Sequence, residues 1–128
     1  MVKKLVKKKD AAAWWLSQKA QVAKAVDAAE TSTGHQIVVA VGKLGRDPVT
    51  AANRVSRRHP GASLVFCVDP LQRRFELRWP SQVSLPDAII TQTSKLLAEE
   101  HLADAITLVA TVLPVQTEGD ELPDIVEE

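Results

Sequence analysis

The sequence has a single cysteine, no long apolar run and no net charge at neutral pH. Cys67 alone cannot form an internal disulfide, and its place within an apolar segment predicts a small buried core residue. A reducing compartment is therefore allowed, and we expect a cytoplasmic protein. No segment approaches the roughly 20 apolar residues that a transmembrane helix needs. Lysine and aspartate interrupt the N-terminal segment, so we expect no signal peptide there.

Charge is unevenly distributed along the chain although its sum is zero. Five lysines lie within the first nine residues, and six acidic residues, with no basic residue among them, end the chain. Runs of one sign are typically solvated and disordered, so we predict a flexible basic arm over residues 1–13 and a disordered acidic tail over residues 115–128. Residues 14–114 are expected to form one domain, which is long enough for a hydrophobic core.

The lysine arm allows two interpretations. Together with Trp14 and Trp15 it could contact an acidic membrane surface. Burial of both tryptophans at the edge of the protein's own core is the simpler interpretation, because the apolar stripe beside them is short.

Residues 16–42 contain the clearest local pattern of the chain. Apolar residues recur at helical spacing over the first half of this segment, and Ser17 is the predicted N-cap. Gly34 should end the helix, because glycine tolerates the left-handed backbone of a C-cap. Ile37–Val41 is apolar at every position, which is typical of a strand covered on both faces.

The rest of the chain predicts an α/β fold. Asp47 is a predicted N-cap before Pro48. The apolar periodicity and the turn residues predict, in order, a helix at 48–58, strands at 62–68 and 73–79, and helices at 85–100 and 102–113. A strand–helix–strand crossover makes the first two strands parallel, and the third returns by a hairpin. We therefore predict a small mixed sheet, with a parallel first pair and an antiparallel hairpin strand, between helical layers.

Two blocks of this sequence resemble the TPM domain, a family named after a thylakoid lumen protein, a photosystem repair protein and a membrane modulator of an acetylcholine receptor. The first block is carried by Leu16-Ser17, Glu30, Thr33-Gly34 and the QIVV run at 36–39. The second is the strand, turn, double arginine and strand at 63–79. The resemblance spans roughly residues 16–113.

The TPM resemblance implies a three-layer sandwich and roles in maintaining protein complexes. Members have also been linked to acid phosphatase activity and divalent-metal binding. The family's glycine-rich loop after the third strand is replaced here by residues 80–83. The acidic residues expected before the first helix are absent apart from Asp10, and both departures weaken the implied phosphatase and metal chemistry.

The carboxyl ends of the two parallel strands are the predicted ligand site, because ligands of open α/β sheets gather there. We expect the loop at 42–47 to meet the turn at 69–72, beside a helix N-terminus that favours anions. Asp69 is the candidate ligand for Ca²⁺ or Mg²⁺. In the alternative interpretation Asp69 forms a turn and the cations are solvated. The candidate anion-binding residues are Lys43, Arg46 and Arg73.

Other catalytic patterns are absent from the sequence. His35, His59 and His101 lack metal-ligand spacing and are interpreted as loop or helix-end residues. No serine occupies a nucleophile elbow, and no acid pair is placed for general acid–base catalysis. The arginines of the second helix and the hairpin do not make a net basic domain with free aromatics, so we expect no nucleic-acid binding.

From these features we expect a TPM-like interaction or regulatory module that is non-catalytic, carries no cofactor and has a protein partner. The alternative is a weak phosphatase that depends on a divalent metal and acts at the carboxyl edge of the sheet.

Overall fold

The computed structural model describes residues 8–115 and 125–127. These residues form, in chain order, α1 (Lys8–Thr33), β1 (Ile37–Val41), α2 (Pro48–Arg57), β2 (Leu64–Asp69), β3 (Arg74–Arg78), α3 (Asp87–Ala98), α4 (Leu102–Ala110) and β4 (Ile125–Glu127). The strands form one mixed sheet in the order β3-β2-β1-β4. β1 is parallel to both β2 and β4, and β2 is antiparallel to β3. The predicted α/β class, the parallel pair and the hairpin are confirmed.

The central strands β1 and β2 are buried at every position, because each of their faces lies under a helical layer. Val39 and Phe66 belong to the core beneath α1, α3 and α4. Val38 and Val65 belong to a second core beneath α2, and Cys67 is buried there as predicted. Alternate residues therefore point into opposite layers, and the result is a three-layer arrangement.

α1 is longer than the sequence pattern predicts. It begins at Lys8, so the prediction of a flexible arm over residues 1–13 was wrong for residues 8–13, while residues 1–7 lie outside the described part. Ser17 is not an N-cap but lies within the helix, where its hydroxyl donates to the Trp14 carbonyl. Burial of Ala11 and Trp15 explains the extension, because it gives the first turns a tertiary contact that local propensity does not report.

The C-terminal segment also differs from its prediction. Ile125–Glu127 forms β4, with Val39 opposite Ile125 and Ala40 opposite Val126, so the prediction of a disordered tail over residues 115–128 was wrong for these three residues. Ile125 packs on the core beneath α1 and Val126 on the core beneath α2. Pairing with the edge of β1 and packing of two apolar side chains stabilise this strand, although the acidic composition of the segment favours disorder. Residues 116–124 and 128 lie outside the described part.

The remaining boundaries agree closely with the predictions. Gly34 has a φ of 75° after the last turn of α1, as expected of a glycine C-cap. α3 begins two residues later than predicted, with Pro86 as its N-cap. Although α1 has 26 residues, no described helix has the apolar stretch that a membrane span requires.

Candidate functional site

The structure brings together the two segments predicted to meet at the carboxyl edge of the sheet. The Gly42 amide donates to the Val68 carbonyl at 2.9 Å, and the Gln72 side chain donates to the Gly45 carbonyl at 3.3 Å. The link between them is Asp69, whose side chain accepts a hydrogen bond from the Leu44 amide at 2.9 Å.

Asp69 is 1% exposed and accepts four hydrogen bonds from protein groups. Its Oδ1 accepts from the Leu71 amide at 3.0 Å and the Gln72 amide at 3.2 Å, and its Oδ2 accepts from the Leu44 amide and from Gln72 Nε2 at 3.1 Å. A carboxylate offers about four acceptor positions, and all of them are used. Residues 8–115 and 125–127 contain no group of three side chains suited to a metal ion. The geometry favours the structural interpretation of Asp69.

The predicted anion-binding cations do not share one environment. Lys43 and Arg46 are exposed in the loop after β1. The Arg73 guanidinium instead lies over the Trp14 ring, 4.2 Å from its centroid, and donates to Glu100 at 3.0 Å. These contacts hold Arg73 beside α1 and the α3–α4 connection.

The N-terminus of α2 already has a negative group. Asp47 accepts from the Thr50 hydroxyl at 2.6 Å and from the Thr50 amide at 3.2 Å. The hydroxyl bond, followed by the amide bond, lowers the pKa of Asp47 below its ordinary value. Its contribution to folding is therefore complete above the carboxyl pKa of the unfolded chain and is lost as the pH falls through the lower folded value. An added anion must compete with this carboxylate.

A second cluster lies at the opposite, amino edge of β1 and β2. The side chains of His35 and Ser63 are joined at 2.6 Å through Nδ1 and Oγ, and His35 Nε2 lies 2.5 Å from the Pro114 carbonyl oxygen. These groups line a cavity of about 520 Å³. Sequence reasoning missed this cluster. One signal was present, since His35 lies two residues before the first predicted strand and Ser63 lies at the start of the second, and these strands were predicted to pair side by side.

A third feature is a groove of about 500 Å³ between β3 and α3. Residues 73–79 line it without interruption, and Ile90, Thr93 and Leu97 form the wall on α3. The predicted alternation of this strand is consistent with its contacts, because Phe75 and Leu77 pack on the core shared with α3. Arg78 points toward α2, where its Nε donates to Asn53 at 2.8 Å. The groove therefore has one apolar side and one charged side.

Comparison with known proteins identifies solved structures with a similar fold. No protein-family model matches the chain, and no curated protein is significantly similar to it in sequence. Solved structures do match, among them the NMR structure of BA42 from the psychrophilic bacterium Bizionia argentinensis. That match has a TM-score of 0.68 and 18% identity, over 89% of this chain and 94% of BA42. The N-terminal domain of cg2496 from Corynebacterium glutamicum matches with a TM-score of 0.54 and 21% identity, over 73% of this chain and 67% of that one. At these identities the likeness shows the fold alone.

The role of Asp69 predicts a specific stability defect. Asp69→Asn keeps one acceptor oxygen but replaces the other by an NH₂ group, which faces hydrogen-bond donors and cannot accept from them. The free energy of unfolding should therefore fall by about 2 kcal/mol in urea titrations. Asp47→Asn is the matched control and should cost less than Asp69→Asn, because asparagine still caps the helix and only the contribution of an exposed, ionised carboxylate is lost. The prediction would be contradicted if millimolar Ca²⁺ or Mg²⁺ stabilised the wild-type protein but not the Asp69→Asn variant. That result would show that Asp69 is a metal ligand.

Proposed function

We propose that this chain is a TPM-like interaction module that binds an extended acidic segment of a partner protein as an added strand along the outer edge of β3. The observation that carries the proposal is the groove between β3 and α3, along which no strand of the described residues pairs with the outer edge of β3. The fold shared with BA42 and the cg2496 domain is compatible with this role but assigns no function. The TPM resemblance supports it, because that family has been linked to the maintenance of protein complexes.

The strand edge supplies the backbone part of the binding site. β3 pairs with β2 on one side, and within the part of the chain that the structure describes no strand pairs with its other side. In an antiparallel pair, every second residue directs its N–H and C=O groups away from the partner strand. An extended peptide satisfies such groups by adding a strand. A partner strand matching the five residues of β3 spans about 17 Å.

The α3 wall supplies side-chain contacts for one face of the added strand. Ile90 and Leu97 give it an apolar surface. Thr93 lies between them and is 1% exposed, and its hydroxyl has no hydrogen-bond partner among the described residues. A buried hydroxyl without a partner costs roughly 1–3 kcal/mol. A polar group of the bound segment can recover part of that cost.

The opposite face is charged and favours an acidic partner. Glu76 pairs with Arg74 at 3.0 Å and with Arg78 at 3.7 Å, so one carboxylate serves two guanidinium groups. With Arg73, the groove lining carries three arginines against one glutamate. Arg74 is 48% exposed, and ion pairs of exposed side chains contribute only about 0.2–1 kcal/mol. The Arg74 guanidinium can therefore be redirected to an acidic side chain of a partner.

The carboxyl edge offers no comparable support for the alternative of a metal-dependent phosphatase. Asp69 has its four acceptor positions filled, Asp47 already occupies the N-terminus of α2, and Arg73 lies beside Trp14.

The first prediction concerns charge. A blocked peptide that alternates glutamate with valine should bind saturably and shift the NMR amide signals of residues 73–79 and of α3. Arg74→Glu should weaken this binding about tenfold, because it replaces attraction by repulsion at a side chain that is 48% exposed and tenfold corresponds to about 1.4 kcal/mol. Arg54→Glu, an equally drastic change at an exposed position on α2, should leave binding unchanged. Absence of shifts at millimolar peptide would contradict the proposal.

The second prediction concerns the unpartnered hydroxyl. Thr93→Val keeps the shape of the side chain but removes the polar atom, so the free protein should gain about 1 kcal/mol in its free energy of unfolding. The same change should weaken the acidic peptide severalfold. Thr91→Val, on an exposed turn of the same helix, should do neither. A variant that gains no stability, or that binds as tightly as the wild type, would show that Thr93 is not part of the site.

A further inference from the structure

The amino edge of the sheet contains a serine hydroxyl, an imidazole and a carbonyl in series. The Pro114 carbonyl oxygen can only accept a hydrogen bond, so His35 Nε2 must carry the ring proton. In the neutral ring Nδ1 is then an acceptor, and the Ser63 hydroxyl donates to it at 2.6 Å. The tautomer is assigned from these partners. A hydroxyl held by a base that is itself oriented by a third group is the arrangement that activates a serine.

The surroundings of this pair suit a small ligand. His35 is 3% exposed, which protects the base from water, whereas Ser63 is only half-buried. Both line the same cavity of about 520 Å³, within the size range of small-molecule sites. Val83 and Val112 give the cavity apolar lining, and Gln82 and Ser84 add side chains that can donate hydrogen bonds.

We propose that Ser63 is a nucleophile for small acyl esters and that His35 is its general base. Ser63 Oγ attacks the ester carbonyl while its proton moves to His35 Nδ1. The tetrahedral intermediate collapses, the bond to the alcohol oxygen breaks, and His35 returns the proton to the leaving alcohol. Water then cleaves the acyl–serine ester by the same route, so that the acid is released and the Ser63 hydroxyl is restored.

This site is independent of the strand edge. Its serine, imidazole and carbonyl precede β1 and β2 and follow α4, whereas the groove runs along β3. The loop after β3 contributes to the cavity, but the two linings share no residue. Sequence motifs gave no hint of it, because the three groups come from separate segments and one of them is a main-chain carbonyl.

The test uses p-nitrophenyl acetate with the full chain, read by nitrophenol release and by mass spectrometry of the acetylated peptide. The wild type should gain one acetyl group on Ser63. Ser63→Ala should lose it, and His35→Gln should slow it at least about 100-fold, the lower range for general-base catalysis. Ser81→Ala, which changes an exposed serine that does not line the cavity, should react as the wild type does.

Three results would overturn the proposal. The first is a wild type that is not acetylated at Ser63, and the second is His35→Gln that folds by circular dichroism yet is acetylated at the wild-type rate. A separate comparison remains valid if His35→Gln fails to fold. Ser63→Cys should react with iodoacetamide faster than Ser84→Cys does, although position 84 is the more exposed. A slower or equal rate for Ser63→Cys is the third overturning result.

Discussion

The parallel pairing of β1 with β2 is the constraint on which the rest of the structure depends. Every residue of both strands is buried, so neither face of the pair can be left to water, and parallel strands require a crossover between them. α2 provides that crossover and covers one face, while α1, α3 and α4 cover the other. The pair also fixes which loops meet, because the segments before both strands share one edge and the segments after them share the other.

Local signals in the sequence were sufficient for much of this fold. β1 occupies the predicted residues, Gly34 ends α1 in the left-handed conformation and Asp47 caps α2. Each of these features depends on residues within one turn or strand. The start of α1 and the whole of β4 were not predictable in this way, because their stability comes from burying Trp15 and Val126 against distant segments. Acidic composition did not predict β4, in which Ile125 and Val126 pack on the two cores. Residues 116–124 and 128 of the predicted tail lie outside the described part.

The same distinction applies to the sites. The meeting of the loop after β1 with the turn after β2 followed from topology, but the roles of Asp69 and Arg73 did not, since hydrogen-bond partners decide them. Asp69 serves the fold at the edge where a ligand was expected. The binding capacity we propose lies instead where β3 ends the sheet, and the reactive serine we propose lies at the amino edge. Its partner His35 was predicted to be only a loop or helix-end residue.

The central claim is that β3 pairs with β2 on one side and, among the residues that the structure describes, with no strand on the other. Amide hydrogen exchange measured by NMR on the free, full-length protein tests this most directly. The account predicts slow exchange throughout β1 and β2, with alternating protection along β3, in which every second amide exchanges rapidly. Uniformly slow exchange along β3 would contradict it, because the edge offered to a partner would then already be covered.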